Sequence, residues 1–178
     1  MNMDYKMLFI LVEGDDDKRF FEKIITPLFE GKYYLVKVWK YAQQKKEKVS
    51  KFLESIKAMS AEYIYVSDID RTPCVTARKQ YIQNKFKEVD KDRIIVVIRE
   101  IESWYLAVLD DKSSKKLGIR YSNTTDNVTK EQFNNLIPRK FDSRIDFMQE
   151  ILKCFNIETG KHRNTSFRYF IDKFNCEV

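Results

Sequence analysis

Apolar positions in the first 110 residues follow two alternating rhythms, short unbroken runs and helical stripes. "KMLFILV" (6–12) predicts a buried strand, and "KRFFEKIITPLF" (18–29) has apolar residues at 20, 21, 24, 25, 28 and 29, a helical spacing that Pro27 should end or kink. "YYLVKVWKY" (33–41) alternates as a second strand would. "KKEKVSKFLESIKAM" (45–59) sets Val49, Phe52, Leu53, Ile56 and Met59 on one helical face. "EYIYVSD" (62–68) predicts strand three, and "VTARKQYIQNKFKEV" (75–89) a helix with Ile82, Phe86 and Val89 inward. "RIIVVIRE" (93–100) predicts strand four, apolar enough to suggest a central place in the sheet.

This order predicts an α/β fold, a mostly parallel sheet of about four strands with helices on both faces. The rhythm changes after Ala107. Residues 108–127 are polar and weakly patterned, and predict an exposed loop. "TKEQFNNLI" (129–137), "DSRIDFMQEILKCF" (142–155) and "TSFRYFIDKF" (165–174) predict helices, the last capped by Thr165 or Ser166. The expected division is an α/β core over 1–110 and a loop-and-helix extension over 111–178, packed on the core.

In a parallel sheet the C-terminal ends of all strands share one edge, where ligands bind. Strand one runs into Glu13-Gly14, strand three ends in Asp68 with Asp70 two residues on, and strand four leads to Glu100 and Glu102. Carboxylates gathered this way repel one another unless a cation or proton intervenes. Mg²⁺, which takes one or two carboxylates together with phosphate, answers that need, and Mn²⁺ could substitute. Two such ions would clamp the oxygens of a phosphodiester. Asp15, Asp16 and Asp17 stand where a helix begins, and at least one is expected to cap it.

Composition narrows the field only a little. The chain has 178 residues, 43% of them hydrophobic, and 33 basic against 27 acidic side chains give a net charge of +6. That balance permits a polyanionic partner without demanding one. Three scattered cysteines and a single histidine suggest neither a disulfide framework nor a zinc site. No run approaches the length of a membrane span and no basic-then-apolar leader opens the sequence, so a cytoplasmic protein without a membrane partner is expected.

"LVEGDDDKRFF" resembles the first motif of Toprim domains, an apolar strand, Glu-Gly, then an acid three residues on (Glu13, Gly14, Asp17). "YVSDIDR" resembles the second, the D-x-D of Asp68 and Asp70. "IREIESWYLA" resembles the later glutamate segment of OLD-family nucleases. Together the motifs cover about residues 6–110. The resemblance implies a Toprim-like, Rossmannoid nuclease with Glu13 as general base or metal ligand. Asp17, Asp68 and Asp70 would be ligands, and Glu100 or Glu102 (the latter favoured) would assist a second metal. The lysine such nucleases use near the end of the domain would be Lys161, with Arg163 as its alternative. The resemblance also implies a nucleic-acid substrate, DNA ahead of RNA, and a role in defence against phage. OLD-family nucleases work with an ABC-type ATPase; with no G-x-x-x-x-G-K-[ST] here, that ATPase would be a separate protein.

Two other readings stand beside it. D-x-D-x-T after a strand also spells the haloacid dehalogenase phosphatases, with Asp68 as nucleophile, Asp70 as acid/base, Thr72 in support and "LDD" (109–111) as the acidic pair. Two β-α units before the strand that ends in Asp68, and an unexplained Glu13-Gly14, argue against it. The other reading is a non-catalytic module that binds nucleic acid or an ATPase. The aromatics of "KYYLVKVWKY" beside Lys32, Lys37 and Lys40 would serve it as a stacking surface, unless they pack under a helix. The basic residues of "RKFDSR" and "KHRNTSFRYF" could guide a phosphate backbone toward the acids.

Overall fold

A computed structural model describes residues 5–176 of the chain. Strands β1 (Met7–Val12), β2 (Leu35–Lys40), β3 (Glu62–Asp68) and β4 (Ile94–Val97) form one all-parallel sheet in the order β2-β1-β3-β4. Met7 lies opposite Leu35 and Val12 opposite Lys40, while Leu8 lies opposite Glu62 and Leu11 opposite Tyr65. The parallel α/β architecture expected from the alternation of runs and stripes is the one observed.

The chain falls into two units, the first ending at Val96 and the second beginning at Val97. The sequence had suggested a boundary near residue 110. The buried stretch Ile101–Leu109, which that boundary assigned to the core, belongs with the helices that follow it.

In the first unit, helices α2 (Lys46–Ala58) and α3 (Val75–Lys85) cover one face of the sheet. Val49, Leu53 and Ile56 from α2, and Ile82 with the following Phe86 and Val89, pack with Phe9, Leu11, Tyr63, Tyr65, Ile94 and Val96. Each such buried side chain contributes roughly 1.5–3 kcal/mol. Leu8, Ile10, Val12, Ile64 and Val66, which alternate with these along the strands, are equally buried, so both faces of the central strands are covered. Met59, expected inside, is the exposed C-cap of α2. Strand β4 is buried at every residue yet stands at one end of the sheet rather than in its centre. Continuous burial reports that both faces are covered and says nothing about neighbouring strands. The aromatics of strand two turn inward at its far end: Trp39 packs on Phe52 and Tyr41 on Tyr65, while Tyr34 stays exposed.

Helix α1 (Asp15–Phe20) passes into a π-turn over Phe21–Ile25 and a 3₁₀ turn over Thr26–Phe29 that contains Pro27. The proline therefore sits in the tightened end of the helix, where its missing N–H costs least.

The second unit holds α4 (Glu102–Ala107), α5 (Asp111–Leu117), α6 (Lys130–Leu136), α7 (Arg144–Ile151), α8 (Ile157–Arg163) and α9 (Thr165–Lys173). Every residue of α4 is buried. Its Trp104 meets Phe167 and Phe170 of α9 and donates its indole N–H to Ser166 Oγ at 2.8 Å. Helix α5 lies within the segment expected to be loop. Asp110 caps its start by accepting from the Ser113 amide at 2.7 Å, and Gly118, at φ 84°, closes its end in the left-handed conformation. Helix α8 was also unforeseen. Helix α9 is capped by Asn164, one residue earlier than expected; its Oδ1 accepts from the Phe167 amide and its Nδ2 donates to Ser103 and Thr125. A Cβ on Gly160 of α8 would stand 2.6 Å from a ring carbon of Phe167.

Among the described residues no helix is long and apolar enough to cross a membrane.

Candidate functional site

Strand β1 delivers Glu13 to the C-terminal edge of the sheet, because the backbone leaves the strand at Val12 and starts α1 three residues later. Gly14 is the N-cap of α1, and Asp17 reaches back so that its Oδ2 accepts the Gly14 N–H at 3.1 Å. Asp17 thus does the work of a helix cap. Asp15 pairs with Lys40 at 2.6 Å and Asp16 with Arg19 at 2.7 Å. Of the acids that follow Glu13, Asp16 and Asp17 are therefore occupied within the first turns of the helix and Asp15 by the end of β2.

Strand β3 ends in Asp68, whose backbone N–H donates to the Glu13 carboxylate. The chain then turns over residues 69–72, where Thr72 donates both its amide (3.2 Å) and its hydroxyl to the Ile69 carbonyl. Within that turn Asp70 takes φ 48°, the left-handed region that aspartate tolerates better than most side chains. Its carboxylate meets Arg78 of α3 at 2.5 Å. Arg78 is only 8% exposed, and it donates from Nε and Nη2 to Ser67 Oγ at 3.2 and 2.8 Å.

Glu13, Asp70, Arg78, Lys46, Lys85, Ser67 and the rings of Tyr41, Tyr65 and Tyr81 line one cavity of about 260 Å³. Tyr41 and Tyr65 are stacked with ring centres 4.7 Å apart, and the Tyr41 hydroxyl donates to the Val66 carbonyl at 2.8 Å. Burial pushes both phenols up, so they remain neutral walls. Burial likewise raises the Glu13 carboxyl, and the nearby Asp70 raises it further; the Asp68 amide, Arg78 and Lys85 pull the other way. Glu13 Oε2 is buried with no hydrogen-bond partner. In a folded protein such an atom costs free energy unless something else satisfies it.

The other predicted residues lie in the second unit and are engaged there. Glu100 accepts the backbone N–H of Lys130 at the start of α6. Glu102, 3% exposed, pairs with Arg144 of α7, whose Nε also donates to Asn134 Oδ1 at 2.9 Å. Burial is the main cause that raises the Glu102 carboxyl, with its own backbone amide and Arg144 opposing. Lys161 bridges Asp172 at 3.2 Å and Glu158 at 3.7 Å. Arg163, weighed as its alternative, is a buried cap that donates to the carbonyls of Leu106, Ala107, Leu109 and Ser122. So the first unit by itself places Glu13 and Asp70 along one cavity with Asp68 adjoining through its backbone amide, and adds Arg78, which the sequence does not single out. A sign of it was present: Arg78 is four residues before Ile82 and eight before Phe86, a cation in the buried stripe of its helix.

Among the described residues no three acids, histidines or cysteines converge closely enough to hold an ion unaided. The donor set still suits Mg²⁺, which commonly relies on one or two carboxylates and fills the remaining positions with water and phosphate. The buried, unpartnered oxygen of Glu13 is the observation that fits such an ion.

Fold and edge together define a class, a parallel α/β domain whose strand ends carry a cavity of acids and bases. Beyond that class, no family model, no curated protein and no solved structure matches the chain.

Proposed function

We propose that the protein is a Toprim-like, Mg²⁺-dependent nucleic-acid phosphodiesterase that acts in the cytoplasm, with DNA its substrate ahead of RNA. The observation that carries this reading is the buried oxygen of Glu13, left without a partner in a cavity shared with Asp70, Arg78 and Lys85. Glu13 and Asp70, with Asp68 adjoining, would hold the ion. When bound it would polarise the phosphate and acidify a coordinated water.

The chain's own groups do the rest. Glu13 acts as a ligand through Oε2, the oxygen left without a partner, and in that role it would not also accept the proton, because a bound cation draws down the carboxyl that burial raises. Lys46, Arg78 and Lys85 supply positive charge to the phosphate, and the net charge of +6 favours approach of a polyanion. Glu100, Glu102, Asp17 and Lys161 take no part in this proposal, since each is spent on a contact described above.

The test is cleavage of supercoiled plasmid, single-stranded DNA and RNA in Mg²⁺, Mn²⁺ or EDTA, with Asp68→Asn alongside. Metal-dependent cutting should fall at least roughly a hundredfold in the variant while its melting temperature stays equal or rises. A folded Asp68→Asn that cuts at the original rate removes Asp68 from the site. Hydrolysis of phosphomonoesters without strand cleavage would replace the reading with the aspartyl-phosphatase one. Metal-dependent stabilisation without cutting would point to a subunit that needs a separate ATPase.

A further inference from the structure

We infer that Arg78 is the built-in counter-ion of this cavity: it holds Asp70 through one carboxylate oxygen, and a divalent ion that draws on Glu13 and Asp70 together competes with it for Asp70. The inference rests on the metal-site reading above and adds to it what governs the affinity of the site.

The geometry separates a fixed partner from a movable one. Arg78 is held independently of Asp70, by two hydrogen bonds to Ser67 and by its position over the Tyr81 ring, 5.4 Å from the ring centre. Ser67 is itself 2% exposed at the end of a central strand. Asp70 sits on a turn with half its side chain in solvent. Turning Asp70 away therefore leaves the guanidinium bonded to Ser67 and stacked on Tyr81. Charge explains why an arginine is there at all. Glu13 and Asp70 are close enough to raise the proton affinity of Glu13, and a cation between such groups relieves the repulsion. A divalent ion would do the same work, so guanidinium and metal compete for Asp70.

Competition of this kind is a coupling free energy and can be measured without catalysis. Mn²⁺ binding would be followed by calorimetry on the metal-stripped protein, with no nucleic acid present, for the native chain and for Arg78→Gln. The glutamine keeps a donor near Ser67 and removes the charge. It should bind Mn²⁺ roughly tenfold more tightly, and its melting temperature should rise more on addition of Mn²⁺. If Arg78→Gln does not fold, the native protein carries the test: with ¹⁵N-labelled arginine, the side-chain signals of Arg78 should shift as Mg²⁺ is titrated and saturate with binding. Metal binding by the native chain with no tightening in Arg78→Gln, or with Arg78 signals that do not move, overturns the counter-ion role and leaves the metal site standing. No metal binding by either protein at millimolar concentration removes the metal site, and the counter-ion role falls with it.

Discussion

Two glutamates make a contrast: Glu102 is buried as a whole, while Glu13 is half-buried with one oxygen, Oε2, shut off from solvent. In each, burial is the leading cause of a raised carboxyl. Glu102 in the second unit has an arginine of its own, and that arginine is also tied to Asn134 and lies over the Phe133 ring. In the first unit the arginine is given to Asp70 and Ser67, and Glu13 is left with one oxygen unanswered. A buried acid with a complete set of partners holds helices to one another. An acid with one buried oxygen left open is a cost to the fold that a proton or a ligand can remove.

The comparison can be broken most severely at Arg144. Replacing it by Met strands Glu102 as a buried charge, and should cost about 3 kcal/mol, a fall of roughly 6–12 °C in melting temperature at pH 7. The loss should shrink in acid, because a protonated Glu102 needs no counter-charge. A change under 1 °C would mean that the pair is ornamental.

Glu13→Gln should act in the opposite direction, raising stability by about 1 kcal/mol, or roughly 2–4 °C. The sign follows from linkage. The folded-state pKa lies above the unfolded one, so between them the native protein holds a proton that the unfolded chain has lost, and stability falls as pH rises through that interval. The gain should thus be complete above the folded pKa and absent below the ordinary glutamate value of about 4.3. Melting curves from pH 4 to 8 would show it, and a Glu13→Gln protein less stable at pH 8 would undo the contrast. The smallest effect belongs to Asp15→Asn. Its bond to Lys40 is on the surface, so a change below about 0.5 kcal/mol is expected in chemical denaturation.

Much of the first unit was legible because strand runs and helical stripes alternate, and parallel order sends every strand end to one edge. That geometry puts Glu13, Asp68 and Asp70 at strand ends, and it names Glu100 and Glu102 with equal force although both are engaged in the second unit. It does not point to Arg78, since a charged residue in a helix is ordinarily read as solvated, and only its register with Ile82 shows otherwise. The surroundings of Glu102 were beyond reach for another reason: Arg144 comes 42 residues later, and nothing local announces the meeting. Short helices such as α5 and α8 have only seven residues each, too few for a period to declare itself, although Asp110 and Gly118 were readable as caps for the first. The cap of α9 was missed by one position because Asn164, Thr165 and Ser166 are all capping residues in a row.

The glycine in the middle of α8 has a consequence for how much of this chain can exist by itself. Gly160 is required by the ring of Phe167 and by Val108, which a Cβ would meet at 3.1 Å, yet glycine is among the poorest residues for sustaining a helix. The segment 156–164 therefore has no helical inclination of its own, and a synthetic peptide of that stretch should show a coil spectrum in water. Its shape is borrowed from residues that touch it only after the chain has gathered.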